Sequence, residues 1–118
     1  MPYRTLIADD EPLARMRMRK LLEPYADLIN VVGEANCGDQ AVKQIQDLQP
    51  DLVFLDIRMP DMTGFDVLKA VGDDAAPVVV FTTAYDEFAL QAFQEDTVDY
   101  LLKPVEEERL RSTIDKLR

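Results

Sequence analysis

Five short apolar runs alternate along the chain with segments in which apolar residues recur at helical spacing. The runs predict strands over residues 3–8, 29–35, 51–56, 77–83 and 98–102. Strands separated by helix-length segments pair in parallel, because each connection has to cross over one face of the sheet. The alternation therefore predicts an α/β fold, in which helices cover both faces of one doubly wound, five-stranded parallel sheet.

The segments between the runs carry the predicted helices. They lie at residues 12–25, 38–48 and 86–93, with a short helix that carries Phe65, Leu68 and Val71 and a last helix after Pro104. Pro12 suits the first turn of the first helix, where its missing N–H has no partner to lose. Periodicity does not encode the order of the strands. By analogy with small doubly wound domains, we expect the order 2-1-3-4-5.

Length and composition predict one domain over residues 1–118. The chain has 118 residues, of which 47% are hydrophobic, and this is enough to form a core without disulfide or metal support. It has one cysteine, which suits a reducing compartment. No apolar run approaches the roughly 18 residues of a membrane helix, and no signal-peptide pattern begins the chain. We therefore expect a cytoplasmic protein without membrane contact.

The charge balance excludes several classes of function. The formal net charge is −10, from 13 basic and 23 acidic residues, which argues against direct binding of this domain to nucleic acid. The chain has no histidine, so the commonest general base and the commonest zinc ligand are both missing. Any metal here is expected to be a hard cation held by oxygen ligands.

Polar residues stand where four of the predicted strands end. Asp9 and Asp10 follow the first strand, Asp56 ends the third, Thr83 ends the fourth and Lys103 follows the fifth. Ligands of open parallel sheets bind at this edge, and in the expected strand order these residues converge there. Clustered carboxylates repel one another, and a magnesium ion resolves that repulsion. The lysine and the hydroxyl can hold phosphate oxygens.

Asp56 is then the carboxylate left to act as a nucleophile. A carboxylate that attacks phosphorus forms an acyl phosphate. Magnesium and Lys103 would stabilise the charge that builds up on the transferring phosphoryl group.

Four motifs together resemble the receiver domain of two-component response regulators. They are "DDEPLAR" (9–15), "DLVFLDIRMPDMTGFDVL" (51–68), "FTTAYDEFALQAF" (81–93) and "VDYLLKP" (98–104), and the resemblance covers essentially the whole chain. It implies a flavodoxin-like fold of five βα units. The sequences "DEPLAR" and "TTAYDEFALQAF" are most similar to those of receivers of LytTR (LytR/AlgR-type) transcription factors.

The resemblance implies a role for each residue of the cluster. Asp56 corresponds to the phosphoacceptor, Asp9 and Asp10 to the acidic pair that holds Mg²⁺, and Asp56 and the backbone carbonyl of Arg58 to its further ligands. Lys103 corresponds to the lysine that contacts the phosphoryl group.

The resemblance also implies a switch. Thr83 corresponds to the residue that follows the phosphoryl group on activation, and Tyr100 to the aromatic residue whose ring then turns inward. The bond that precedes Pro104 is cis in the family, an isomer that only X–Pro bonds adopt readily.

The implied partners follow from these roles. A sensor histidine kinase would donate the phosphoryl group, and phosphorylation would remake the face of the fourth predicted helix, the fifth strand and the last helix, so that two receivers form a homodimer. The LytTR-like wording implies a DNA-binding output domain beyond Arg118, absent from this chain, through which alone the protein would contact DNA and regulate transcription. The domain is expected to promote only its own phosphorylation and dephosphorylation, not to be an enzyme with an external substrate.

Two other functions stay open at this point. The first is a phosphatase that forms an aspartyl phosphate, although such enzymes carry their nucleophile in an Asp-x-Asp pair directly after the first strand. The second is a binding module that signals without phosphate, against which the intact constellation of site residues argues.

Several residues also have plainer interpretations. Asp9 and Asp10 could cap the first helix, and Tyr100 could be a static residue of the sheet. Glu11 is predicted to be only an acid at a helix start. The basic run Arg15, Arg17, Arg19 and Lys20 is predicted to be a solvated face, with a docking patch as the alternative. Met59 and Met62 are predicted to be exposed beside the phosphorylation loop.

Overall fold

A computed structural model describes residues 2–72, 76–85 and 97–118. Its strands are β1 (Tyr3–Ala8), β2 (Ile29–Ala35), β3 (Leu52–Asp56), β4 (Val78–Thr83) and β5 (Asp99–Leu102). Its helices are α1 (Pro12–Leu22), α2 (Gly38–Leu48), α3 (Gly64–Val71) and a C-terminal helix (Glu107–Leu117). The helix predicted over residues 86–93 lies outside the described residues. Among the described helices, none is both long and apolar enough to cross a lipid bilayer.

The five strands form one parallel sheet in the order β2-β1-β3-β4-β5, which confirms the predicted topology. The register aligns the carboxyl ends of the strands. Asp56 of β3 stands opposite Thr82 of β4, and Thr83 stands opposite Leu102 of β5. The last residues of three neighbouring strands therefore meet at one edge, and the loops that follow them start from nearly the same level.

The core has two layers, one on each face of the sheet. α2 and α3 contribute Ile45 and Phe65 to one layer, and α1 and the C-terminal helix contribute Leu22 and Ile114 to the other. All five residues of β3 are buried, as its unbroken apolar run predicts. The central strand is thus fixed from both sides, and it carries Asp56 at its end.

The first helix is shorter than its apolar pattern predicts. α1 ends at Leu22, and a 3-10 turn over Glu23–Tyr25 replaces the predicted continuation to residue 25. Pro24 explains the difference, because a proline within a helix has no N–H to donate and its ring crowds the preceding turn.

The prediction for Met59 was wrong. Its side chain is 9% exposed and packs in the same layer as Phe65, instead of lying exposed beside the loop. Met62 is half-buried against the same layer and lies over Gly38, where an added Cβ would stand 2.1 Å from Met62 Cγ. The loop after β3 therefore has its own apolar anchors.

Candidate phosphoacceptor site

Two aspartates and one lysine form the buried centre of the site. Asp9 and Asp56 are each 4% exposed at the ends of β1 and β3. Lys103 Nζ lies 2.6 Å from Asp9 Oδ2 and 3.2 Å from Asp56 Oδ2. One ammonium group is therefore shared by two carboxylates. The convergence expected from the strand ends is present for these three residues.

The environment of Asp56 disfavours its charged form. Burial, and then the neighbouring charge of Asp9, raise the pKa of Asp56 to about 7, and the charge of Lys103 only partly opposes them. Burial alone would lower the pKa of Lys103, but its hydrogen bond with Asp9 and the charges of Asp56 and Asp9 raise it. The lysine therefore stays charged, while Asp56 lacks a full counter-charge.

Asp9, Asp10 and Glu11 form a group of oxygen ligands beside this centre. A carboxylate oxygen from each lies within 4.8 Å of the others, and Asp10 is half-buried. Asp9 Oδ1 accepts a hydrogen bond of 3.0 Å from Glu11 N, which fixes the turn. A donor set made only of carboxylate oxygens fits a hard divalent cation such as Mg²⁺, and does not fit zinc.

Glu11 has a role that the sequence interpretation missed. Glu11 was predicted to be only an acid at a helix start, yet as the N-cap of α1 it makes no side-chain capping bond. Its Oε1 lies 3.2 Å from Lys103 Nζ, although 64% of its side chain is exposed. The third acid of the run thus faces the site. The sequence feature that could have indicated this contact is the run of three successive acids before the helix.

The loop between β3 and α3 is held at both ends. Gly64 N donates to Ile57 O at 2.7 Å, and a Cβ at Gly64 would stand 2.9 Å from Asp56 O, so only glycine fits. The carboxylate of Asp61, at the loop tip, accepts hydrogen bonds from Gly38 N at 2.7 Å and Asp39 N at 2.9 Å. It therefore caps the N-terminus of α2, although it belongs to a different loop. These contacts fix the loop that carries Arg58, whose backbone N donates to Asp56 Oδ1 at 3.3 Å.

Lys103 is positioned by its backbone. Its N–H donates to Thr83 O at 2.6 Å, which extends the pairing of β4 and β5 by one residue. The Lys103–Pro104 peptide bond is cis, the isomer that the resemblance implies. The side chain is 14% exposed.

The two residues assigned to the switch are joined through Tyr85. Tyr85 N donates to the hydroxyl of the buried Thr83 at 3.1 Å, and Tyr85 O accepts a hydrogen bond from the hydroxyl of the half-buried Tyr100. The ring of Tyr85 also lies 4.8 Å from the guanidinium carbon of Arg58, a cation–π contact. Tyr85 was not singled out from the sequence. Its position two residues after Thr83 was the available signal.

The basic run of α1 is exposed at Arg17, Arg19 and Lys20, as a solvated face predicts, and half-buried at Arg15. Arg15 binds Glu34 and the backbone of Asp9, Arg17 binds the backbone of Val105, and Arg19 also pairs with Glu34. The solvated-face prediction did not anticipate these contacts, and the docking patch stays a prediction. The helix lies against charged and carbonyl groups whose positions in the fold the sequence does not reveal.

A family model for the response regulator receiver domain matches residues 5–115. An uncharacterized response regulatory protein of Vibrio vulnificus is 49% identical over 112 residues, which are 95% of this chain and 46% of that protein. The transcriptional regulatory protein BtsR of Salmonella typhi is 45% identical over 115 residues, which are 98% of this chain and 48% of that protein. The chain thus spans about half the length of these relatives.

Solved structures agree with the family match. The REC domain of AraT, a response regulator from Geobacillus stearothermophilus, has a TM-score of 0.88 at 33% identity, covering 99% of this chain and 93% of that one. The response regulatory domain of mrkE from Klebsiella pneumoniae has a TM-score of 0.86 at 31% identity, covering 97% and 93%. The chain belongs to the response regulator receiver family and is the receiver domain of a two-component response regulator.

Proposed function

We propose that Asp56 accepts a phosphoryl group from a sensor histidine kinase, in a reaction that requires Mg²⁺ held by Asp9, Asp10, Asp56 and the backbone carbonyl of Arg58. The observation that carries the proposal is the shared lysine. Two buried carboxylates divide one ammonium group, which leaves negative charge unbalanced at the strand ends. Such a site gains when a divalent cation and a phosphoryl group bind together.

Asp56 acts as the nucleophile. Its carboxylate oxygen forms a bond to phosphorus while the bond between phosphorus and the donor's imidazole nitrogen breaks, and that nitrogen regains a proton from water. Bound Mg²⁺ would supply positive charge to the transferring oxygens. Lys103 serves the same oxygens from the other side, because its Nζ already lies 3.2 Å from the attacking carboxylate.

Phosphorylation then acts on the switch. Asp56 exchanges one negative charge for close to two, and the new oxygens attract the hydroxyl of Thr83 and the ammonium group of Lys103. Movement of Thr83 alters its bond with Tyr85 N, and Tyr85 O is the acceptor of the Tyr100 hydroxyl. The equilibrium shifts toward an arrangement with a different surface over β5 and the C-terminal helix, which favours a receiver homodimer.

The output is proposed from the relatives. BtsR is named a transcriptional regulatory protein, and this chain spans about half its length. We propose that the receiver is one part of a cytoplasmic transcription regulator, with a LytTR-type DNA-binding domain that follows residue 118. The receiver itself promotes only its own phosphorylation and dephosphorylation and has no external substrate to turn over.

The test is phosphorylation by a small acyl phosphate with Mg²⁺. We expect intact mass to show one phosphoryl group per chain, lost in Asp56→Asn and when a chelator removes Mg²⁺. Asp47→Asn is the matched control, because it makes the same change at an exposed position of α2. Labelling that survives Asp56→Asn, or steady hydrolysis of an external phosphomonoester, would contradict the proposal.

A further inference from the structure

Two arginines of α1 reach backbone carbonyls of two different loops beside the acidic site. Arg15 Nη1 donates to Asp9 O at 2.6 Å, on the side of the metal-binding acids. Arg17 donates to Val105 O from Nε at 3.1 Å and from Nη2 at 2.7 Å, on the side of the lysine. Residues two apart on a helix do not face the same way, so one helix can hold both loops at once.

Arg15 is itself held in place. Its Nε lies 3.0 Å from Glu34 Oε1, its side chain is 17% exposed, and Arg19 pairs with the other oxygen of the same carboxylate. A guanidinium group fixed by a carboxylate has little freedom to leave the carbonyl that it also binds. Arg15 therefore holds the backbone of Asp9 at a set distance from α1.

Arg17 contacts the loop that follows Lys103. Pro104 has no N–H, so this residue cannot tie the loop through a backbone donor. The loop is held by Lys103 N, which donates to Thr83 O on the sheet side, and by Arg17, which binds the carbonyl of the buried Val105 on the helix side. Two donors from one planar group on one carbonyl limit both its distance and its direction.

We propose that Arg15 and Arg17 are positioning residues of the phosphoacceptor site, with separate tasks. Arg15 places the backbone of the acids that bind the metal, and Arg17 places Lys103 between Asp9 and Asp56. The inference rests on the proposed function of the site. It assigns a function to two members of the basic run, neither of which touches the phosphoryl group or the metal.

The first test separates Arg17 from a merely structural contact. In Arg17→Gln, the rate of phosphorylation by acetyl phosphate at saturating Mg²⁺ falls roughly tenfold, because a small displacement of Lys103 weakens its contact with the transferring oxygens. The dissociation constant for Mg²⁺ stays within twofold of the parent. Arg17→Lys keeps the charge but loses the planar pair of donors, so we expect an intermediate rate. This variant replaces Arg17→Gln in the test if the glutamine variant does not fold.

The decisive comparison uses a second background. If Arg17 acts through Lys103, Arg17→Gln has no further effect on the rate in a Lys103→Gln protein. An equal loss in both backgrounds would overturn the assignment, as would a folded Arg17→Gln protein with the parental rate.

The second test concerns Arg15 and does not depend on phosphorylation. In Arg15→Gln, calorimetric titration with Mg²⁺ gives a dissociation constant raised roughly tenfold, the size of effect seen when groups that orient metal ligands are removed. The phosphorylation rate at saturating Mg²⁺ stays close to the parental value. An unchanged dissociation constant in the folded variant would overturn this half of the proposal.

Lys20→Gln is the matched control for both tests, because it removes one positive charge from an exposed position of the same helix. We expect the parental rate and the parental Mg²⁺ affinity. If the control changes either quantity as much as the arginine variants do, the effect is one of net charge and the proposal fails. A parent protein that binds Mg²⁺ but gains no phosphoryl group on Asp56 would instead refute the proposed function.

Discussion

Two buried aspartates of this domain, Asp56 and Asp99, lie in opposite electrostatic situations. Asp56 ends β3 and shares Lys103 with Asp9, and its pKa is raised to about 7. Asp99 begins β5 and accepts hydrogen bonds from Arg109, Thr113 and the backbone of Tyr100.

The difference lies in how many donors each carboxylate has. Burial alone would raise the pKa of Asp99, but the bonds from Arg109 and Thr113 hold it well below its usual range. Lys116 Nζ adds a second positive charge 3.3 Å away. Asp99, with several donors, ties β5 to the C-terminal helix, whereas the charge of Asp56, which shares its lysine, is only partly balanced.

The largest expected effect is the loss of stability in Asp99→Asn. We expect the free energy of unfolding to fall by about 3 kcal/mol, at the lower end for a broken buried ion pair because Arg109 and Lys116 can regain water. Urea denaturation at neutral pH measures it. Asp47→Asn, on the exposed side of α2, is the control and should change little. A stable Asp99→Asn would mean that the two aspartates do not differ as described.

The second expected effect is a pH dependence of opposite sign for Asp56. Without metal, the folded protein holds a proton on Asp56 between its ordinary pKa of 3.8 and about 7, whereas the unfolded chain has lost it. Stability therefore falls as the pH rises through this window, by up to about 1.4 kcal/mol per unit.

We expect the free energy of unfolding of Asp56→Asn, relative to that of the parent, to rise by about 2 kcal/mol from about pH 5 to about pH 7. Urea denaturation with a chelator present measures both proteins. Parallel curves for the parent and the variant would contradict the raised pKa. Asp99 has the reverse sign, because its depressed pKa stabilises the fold above the ordinary value of 3.8, and this contribution is lost as the pH falls below it.

Magnesium should distinguish the two clusters next. At ten times its dissociation constant, Mg²⁺ stabilises the parent by about 1.4 kcal/mol, because it binds the folded state only. Asp56→Asn should lose most of this gain, and Asp99→Asn should keep all of it. Thermal denaturation with and without Mg²⁺ gives the comparison. An equal Mg²⁺ effect in all three proteins would place the ion elsewhere.

The smallest expected effect is that of Thr113→Val. The hydroxyl of this buried residue donates to Asp99 Oδ2 at 2.6 Å, and its removal should cost about 1 kcal/mol, since other donors remain. The Mg²⁺ dissociation constant should not change. A large change in Mg²⁺ binding would show that the two clusters are coupled through β5.

Hydrophobic patterning predicted the five strands and, apart from the end of α1, the described helices, whereas the strand order came from analogy with small doubly wound domains. The strand ends then located Asp9, Asp56 and Lys103. The site's supports could not be found this way. Arg17 contacts a carbonyl 88 residues away, and no local pattern encodes that pairing.

The same limit explains the other misses. Glu11 contacts Lys103, which is 92 residues away in the sequence. The two residues meet only because the parallel sheet brings the ends of β1 and β5 to the same edge. Met59 is buried because the loop places it in the core layer that contains Phe65, a property of the loop's path and not of its composition. Asp99 stands out in retrospect as a lone acid within an apolar strand, the kind of residue that needs buried donors.

The shared lysine also bears on the charge of an ion that would suit the site. Asp9, Asp10, Glu11 and Asp56 carry four formal negative charges, and Lys103 returns one positive charge, so three remain. A monovalent ion would leave most of this negative charge uncompensated beside the buried Asp9 and Asp56. Lys103 alone therefore does not neutralise the site, and a divalent ion would bring it closer to neutrality before any coordination geometry is considered.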